Sequence, residues 1–379
     1  MGYIGKTPTP APLTASDITD GIISSAKIAD GTIATADIAD SAVTKIKTSG
    51  ITSDMFRNII INGDMSVNQR GTVTGINTNT YTLDRWTTEG DDCTMTISQS
   101  TDVPTGQGFA TSLQMDVTTA NSSADNGDLQ IISTRFEGRN LQHIKKGTSS
   151  AESLTLSFWC KMSQTGTYIV RLQDDDNNRQ VSKSYTISSA NTWENKTITF
   201  PADTTGAFGN DNGRSLRLQW YLDARSDYTS GTLATTWQAN SGNTTNRAVG
   251  ITTGWLDSTS SNFYLTGCQL EIGTSASDFE FLPFDVNLKR CQRYLEVCEG
   301  GKQFYNHTSH QPRVNVDFKV QKRGTPTLIN VSTAENCANQ IQYSVGSIDD
   351  TLCARVNAVN AFVTGEKFFY GKFRADSEL

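Results

Sequence analysis

The sequence predicts a mainly β protein assembled as a trimer: a proline-rich opening over residues 1–17, an extended repetitive stem over 18–56, a jelly-roll-type β-sandwich head over 57–284, and a short helix with a small distal β domain over 285–379. Three observations lead there. Of 379 residues, 36% are hydrophobic and 19% charged. The remainder is dominated by Ser, Thr, Asn, Gln and Gly, which suits short strands joined by polar turns. A decapeptide repeat runs over residues 18–47, and beyond residue 150 apolar and polar residues alternate in segment after segment.

The repeat reads Ile18-Thr-Asp-Gly-Ile-Ile-Ser-Ser-Ala-Lys27, Ile28-Ala-Asp-Gly-Thr-Ile-Ala-Thr-Ala-Asp37, then Ile38-Ala-Asp-Ser-Ala-Val-Thr-Lys-Ile-Lys47. Ile18, Ile23, Ile28, Ile33, Ile38 and Val43 fall on every fifth position. Such a beat fits neither a uniform helix nor a straight strand. The turn-type pairs Asp20-Gly21, Asp30-Gly31 and Asp40-Ser41 resolve it, because each breaks the unit into two short extended pieces. Six such side chains cannot offset roughly 1–2 kcal/mol of backbone ordering per residue in a single chain. Three copies winding together bury the row on a shared axis, so the stem predicts a homotrimer. A disordered Ala/Ser/Thr-rich linker and a helical turn capped by Thr35 remain open. Before it, Pro8, Pro10 and Pro12 forbid regular pairing and give a stiff, polyproline-like entry.

The head is built from period-two segments. Leu154, Leu156, Phe158, Cys160 and Met162 alternate with Thr155, Ser157, Trp159 and Lys161, a half-buried strand. Leu216, Leu218, Trp220 and Leu222 form another. Residues 168–172 and 184–187 flank a polar turn, and 263–272 repeat the strand signal with Gly267 as a bulge. Asn58-Ile59-Ile60-Ile61 predicts a strand ending in a turn at Asn62-Gly63-Asp64. Strands at this spacing describe a two-sheet sandwich or jelly roll. The segment from Asp223 to Gly254 is too polar for a core and predicts a surface excursion carrying Tyr228 and Trp237.

Several stretches resemble the carbohydrate-binding-module-like head of phage tail fibres and related tail proteins. They are Asn58-Ile-Ile-Ile-Asn-Gly-Asp-Met-Ser-Val-Asn-Gln-Arg-Gly71, Tyr81-Thr-Leu-Asp-Arg-Trp86, Leu154-Thr-Leu-Ser-Phe-Trp159, Trp193-Glu-Asn-Lys-Thr-Ile-Thr-Phe-Pro201 and Phe263-Tyr-Leu-Thr-Gly-Cys-Gln-Leu-Glu-Ile-Gly273. Residues 278–294 and the terminal Ala375-Asp-Ser-Glu-Leu379 continue the likeness. The opening Gly2-Tyr-Ile-Gly-Lys-Thr-Pro8 resembles the virion-anchoring start of fibres from short-tailed marine phages. The resemblance implies a structural virion component of the tail, assembled in the host cytoplasm. Its N-terminus would dock on tail adaptor or nozzle proteins, and its head would meet a host cell-surface receptor.

Asp285 predicts the N-cap of a helix running to Glu299 and closed by Gly300-Gly301. Leu288, Cys291, Leu295 and Cys298 would form its apolar stripe. Val314, Val316, Phe318 and Val320 alternate again and predict the distal β unit.

The formal net charge of −7 argues against a nucleic-acid partner, since phosphate contact needs clustered cations. Lys145-Lys146 and Lys322-Arg323 are isolated pairs expected on the solvated surface. Neither a charged-then-apolar leader nor an 18-residue apolar run is present, so neither a secretory signal nor membrane insertion is expected. Lys6 does not fit the myristoylation pattern. Seven dispersed cysteines (Cys93, Cys160, Cys268, Cys291, Cys298, Cys337, Cys353) read as buried thiols of a chain made in a reducing compartment.

Chemistry is sparse. The acids of Asp174-Asp175-Asp176, followed by Asn177-Asn178, read as a hairpin turn before a cation site, although a structural Ca²⁺ would find suitable oxygens there. His307 and His310, with His143 the third histidine, lack the partners of a zinc signature. No cofactor, no catalytic residue and no enzyme are expected. Tyr228, Trp237 and Trp255 are the glycan-contact candidates, because flat ring faces suit pyranose surfaces; each also reads as an anchor for the excursion. The leading expectation is a trimeric tail fibre subunit that contacts a glycan or protein. An architectural adaptor or decoration protein without receptor binding, and a surface-glycan depolymerase, are its rivals.

Overall fold

The computed structural model describes residues 56–90, 93–121, 123–240, 244–306, 313–330, 343–345, 353–358 and 365–379. The stem row Ile18, Ile23, Ile28, Ile33, Ile38 and Val43 lies outside the described residues, as do His307 and His310.

Among the described residues twelve strands precede the helix in chain order: β1 (Val73–Ile76), β2 (Trp86–Glu89), β3 (Thr94–Ser100), β4 (Ser112–Thr119), β5 (Leu129–Glu137), β6 (Leu154–Met162), β7 (Gly166–Asp174), β8 (Arg179–Ile187), β9 (Glu194–Phe200), β10 (Arg214–Ala224), β11 (Gln238–Ala239) and β12 (Asn262–Ile272). They form two six-stranded sheets, ordered β1-β3-β4-β12-β6-β9 and β11-β8-β7-β10-β5-β2. This is a β-sandwich, and its inner faces are the alternating apolar sets. Leu156, Phe158, Cys160 and Met162 of β6 and Leu216, Leu218, Trp220 and Leu222 of β10 are all fully buried in one core. Aromatic rings bridge the sheets: Trp220 lies 5.6 Å from Phe158, and Phe158 lies 5.2 Å from Tyr185, both edge to face. Each such residue contributes on the order of 2–3 kcal/mol by leaving water.

The β7–β8 hairpin forms as the sequence predicts, with Asp174 paired to Arg179 across its turn. The Asp174 carboxylate accepts the Asn177 backbone N–H at 3.0 Å, an Asx-type closure. Gly267 has φ +62°, and the β12–β6 register slips between Thr266 and Gln269, so the bulge is also present. Phe109 explains the absence of a side chain there, since a Cβ would lie 2.6 Å from its ring.

Asn58-Ile59-Ile60-Ile61 is not a strand. It is an irregular plug that completes the hydrogen bonding the bulge leaves open. The Asn58 side-chain oxygen accepts the N–H groups of Ile60 and Leu270, at 3.0 and 3.1 Å, and its amide donates to the Cys268 carbonyl at 3.0 Å. Ile59 N–H reaches the Leu270 carbonyl and Cys268 N–H reaches the Gly63 carbonyl, both at 2.9 Å. Gly63 is required, because a Cβ would sit 2.1 Å from the Cys268 oxygen. Asn62, at φ +60°, binds the backbone of Val67 and of Asp84. Its carbonyl takes the Trp86 indole N–H at 3.0 Å.

The helix is shorter than expected. It spans Phe284–Gln292 (α2, after a single turn α1 at Ser226–Thr229), with Pro283 at the N-cap position and Asp285 in the first turn. Leu295 and Cys298 belong instead to β13 (Leu295–Asn306), which pairs along its whole length with β18 (Gly365–Asp376). The i, i+3, i+4 spacing of Leu288, Cys291, Leu295 and Cys298 fits a helix locally, and a twelve-residue ladder from the end of the chain overrides it. Gly300-Gly301 lies in that ladder. Between these strands run β14 (Arg313–Asp317), β15 (Thr327–Asn330), β16 (Tyr343–Val345) and β17 (Cys353–Ala358), giving sheets β13-β18-β15 and β14-β17-β16.

Two of the expected surface cations are buried. Lys146 is 5% exposed, with its ammonium 2.6 Å from Asp174 and 3.1 Å from Asp203. Lys322 is 1% exposed and lies 2.5 Å from Glu296. Arg323 donates to the backbone oxygens of Asn212, Ser377 and Glu378. Lys145 is exposed as expected. Cys93, Cys160, Cys268, Cys291 and Cys298 are all buried. No helix among the described residues is long and apolar enough to cross a membrane.

Two outcomes follow from the plug. Asn58→Ala leaves a buried carbonyl and two N–H groups without their partner, each costing about 1–3 kcal/mol; urea unfolding is expected to show a loss of roughly 3 kcal/mol or more. Asp84, buried beneath the plug, has its carboxyl pushed up to about 6 by desolvation, against hydrogen bonds from Gln69. Its folded pKa exceeds its unfolded one, so its contribution is full below about pH 4 and is lost as pH rises through 6. The stability of the native chain minus that of Asp84→Asn is therefore expected to fall between pH 4 and 6.5. A flat difference would contradict the burial effect.

Candidate functional site

The outer face of the second sheet carries an ordered array of polar side chains. Strand register sets Thr87, Ser133, Gln219, Arg171 and Ser182 in one row across β2, β5, β10, β7 and β8. Glu89, Ile131, Tyr221, Ile169 and Ser184 form the next row. These are the positions opposite the apolar alternation, so the pattern that fills the core also spaces this face at strand intervals.

The row is hydrogen-bonded side chain to side chain. Ser133 Oγ and Gln219 Nε2 donate to the two carboxylate oxygens of Glu89, at 2.9 and 2.8 Å. Arg171 Nη1 donates to Gln219 Oε1 and Arg171 Nε to Gln180 Oε1, both at 2.8 Å. Gln180 Nε2 continues to Asn246 Oδ1 at 2.8 Å. Among the described residues every hydrogen-bond partner of Arg171 is neutral, and its Nη2, although buried, has none. Burial lowers the Arg171 pKa from its ordinary value; the Tyr221 hydroxyl opposes this, while Arg247 and Arg217 add like-charge repulsion.

The polar excursion covers part of this face. Asp223 Oδ2 accepts the N–H groups of Gly254 and Leu256, at 2.9 and 3.1 Å. Ser182 donates through its backbone to Ala234 and through its hydroxyl to the Arg247 carbonyl, at 2.6 and 2.8 Å. Over the polar row a cleft of about 550 Å³ stays open, larger than one of about 360 Å³ near Arg293 and one of about 450 Å³ on the first sheet. Glu89, Arg171, Arg217, Gln219, Tyr221, Tyr228 and Arg247 line the cleft over the polar row. Glu89 also lies 3.7 Å from both Arg135 and Arg217. Arg217 is held by Asp175 at 2.8 Å.

The predicted aromatic residues do not converge here. Tyr228 is half-buried at the cleft wall. Trp237 packs elsewhere, its indole N–H donating to the Pro201 carbonyl at 2.8 Å and its ring 5.3 Å from the Lys146 ammonium. Trp255 is fully buried in the core, so its ring cannot serve as an exposed stacking surface; its indole N–H reaches the Asn262 carbonyl. The residues missed, Glu89, Arg171, Gln219 and Tyr221, had one signal: they alternate with the apolar positions of β2, β7 and β10.

The Asp174–Asp176 oxygens are taken up by Lys146, Arg214, Arg217 and the Gly209 N–H. Among the described residues no group of three or more His, Cys, Asp or Glu gathers as a metal site. The first-sheet cleft is aromatic, lined by Trp159 with Phe109, Phe279 and Phe281. The three phenylalanine rings lie about 5 Å from one another.

No protein-family model and no curated protein matches the chain. Among solved structures it is similar to the enzymatically active domain of tailspike protein 4 of bacteriophage CBA120, at 16% identity and a TM-score of 0.30, over 57% of this chain and 22% of that one. A family 4 carbohydrate-binding module matches at 10% identity and a TM-score of 0.28, covering 56% of this chain and 98% of the module. A family 11 module from Clostridium thermocellum, in complex with a β-1,3-1,4-mixed-linked tetrasaccharide, matches at 9% identity and a TM-score of 0.27, over 55% and 98%.

Proposed function

We propose that the chain is a tail fibre subunit of a bacteriophage, a homotrimer resident in the virion tail, which binds a host-surface glycan in the cleft over the second sheet. The observation that carries the binding is the polar row. Its amide, hydroxyl and guanidinium groups are fixed in place by one another and open onto a cleft walled by Tyr221 and Tyr228. Sugars are recognised by such convergent polar groups beside ring faces. The phage assignment rests on the motifs of residues 58–71, 81–86 and 263–273 and on the repeat of 18–47. Its N-terminus would join tail adaptor or nozzle proteins.

Binding without catalysis fits the acids. Glycosidic cleavage pairs two carboxylates about 5–10 Å apart. Among the described residues lining the cleft, Glu89 is the acid, and both its oxygens are engaged. The architectural reading draws on the exposed rings of Phe281 and Phe284, which suit a protein partner.

Full-length chain is expected to sediment as a trimer at micromolar concentration, and a stable monomer would rule out the shared-axis stem. It is also expected to bind surface polysaccharide of the host and to block phage adsorption. Tyr228→Ala should weaken that binding about tenfold, or ~1.4 kcal/mol, with the circular dichroism spectrum retained. Undiminished binding by this variant would move the site elsewhere, and failure to block adsorption would favour the architectural role.

A further inference from the structure

Arg85, Lys146, Arg171 and Lys322 are buried cationic residues. Arg85 is paired with Glu378, Lys146 with Asp174 and Asp203, and Lys322 with Glu296. Arg171 is the exception. It is 1% exposed, yet its bonded partners are Gln180, Gln219 and the Tyr221 hydroxyl. A buried charge without a counter-ion is costly unless something supplies one.

Among the described residues lining the cleft, Glu89 is the acid. Glu89 is engaged by Ser133, Gln219 and the two flanking arginines, and Asp175 is spent on Arg214 and Arg217. Arg247, which also lines the cleft, donates through Nη2 to the neutral Asn240 at 3.3 Å, and among the described residues its buried Nε has no partner. The cleft therefore presents guanidinium N–H donors from two arginines, one of them fully buried. Guanidinium groups match carboxylate, sulfate and phosphate oxygens in geometry as well as charge.

We propose that the glycan taken by this cleft is acidic, with a sugar carboxylate or a phosphate or sulfate ester seated against Arg171 and Arg247. This rests on reading the cleft as a glycan site. The neutral amides of Gln219 and Gln180 then orient the buried cation, and the ligand completes its charge pairing. Bound ligand and salt compete, so affinity falls as ionic strength rises.

The test uses full-length chain on an array of bacterial surface polysaccharides. Each is printed native, after carbodiimide–borohydride reduction of its carboxylates, and after removal of its ester groups. Expected is binding confined to acidic polysaccharides, lost at least tenfold when the acid group is removed, and weakened by added NaCl. The treatment that abolishes binding tells carboxylate from ester. Arg171→Gln should erase the preference. Should that buried variant fail to fold, the half-buried Arg247→Gln is expected to weaken acidic ligands severalfold. Equal binding before and after acid removal overturns the charge inference and leaves the glycan reading standing. No binding to any polysaccharide overturns the glycan reading itself.

Discussion

The sandwich depends on one asparagine amide. Where β12 bulges at Gly267, the ladder to β6 loses its register, and the backbone of residues 268–270 needs partners from outside the sheet. Asn58 provides them, from more than two hundred residues earlier in the chain. The same plug presents Asn62 to the Trp86 indole and to Asn287 of α2. Gln69, just beyond, exchanges bonds with Leu295 and Val297 at the start of β13. One irregular segment thus joins the first sheet, the second sheet, the helix and the distal strands. A regular strand could not do so, because its own N–H and C=O groups would be committed to a ladder.

Elements with local periodicity were legible. The inward faces of β6, β7 and β10, the Asp174–Arg179 turn and the Gly267 bulge are all written in alternation and turn chemistry. The plug was not, since its order comes from side-chain bonds to a backbone far away in sequence. Lys146 and Lys322 read as solvent-facing for the same reason: Asp203 and Glu296 are distant partners. The helix ran too long in the sequence because Leu295 and Cys298 satisfy helical spacing and strand pairing alike, and the deciding strand, β18, begins about seventy residues later.

Of the cleft, only Tyr228 was anticipated. Trp237 and Trp255 are of the residue type that forms stacking platforms, but their rings are absorbed in packing. The polar side chains that line the cleft look like ordinary solvent-facing positions until strand order sets them side by side. Their mutual bonds hold the rotamers before any ligand arrives, which limits the side-chain entropy a binding event has to remove.

The excursion has a consequence of its own. It leaves the second sheet after Asp223 and comes back to the same residue, whose carboxylate gathers Gly254 and Leu256. Its two ends are stapled at one point on a rigid strand, and closing a longer loop costs only slightly more, about 0.6 kcal/mol for each doubling. Part of the roof is nonetheless tied to the fold, since β11 joins the second sheet and Ala248 and Ile251 enter the core. The stretches between those anchors can drift in length and composition while the anchors hold, so that recognition and folding evolve on separate stretches of the same loop.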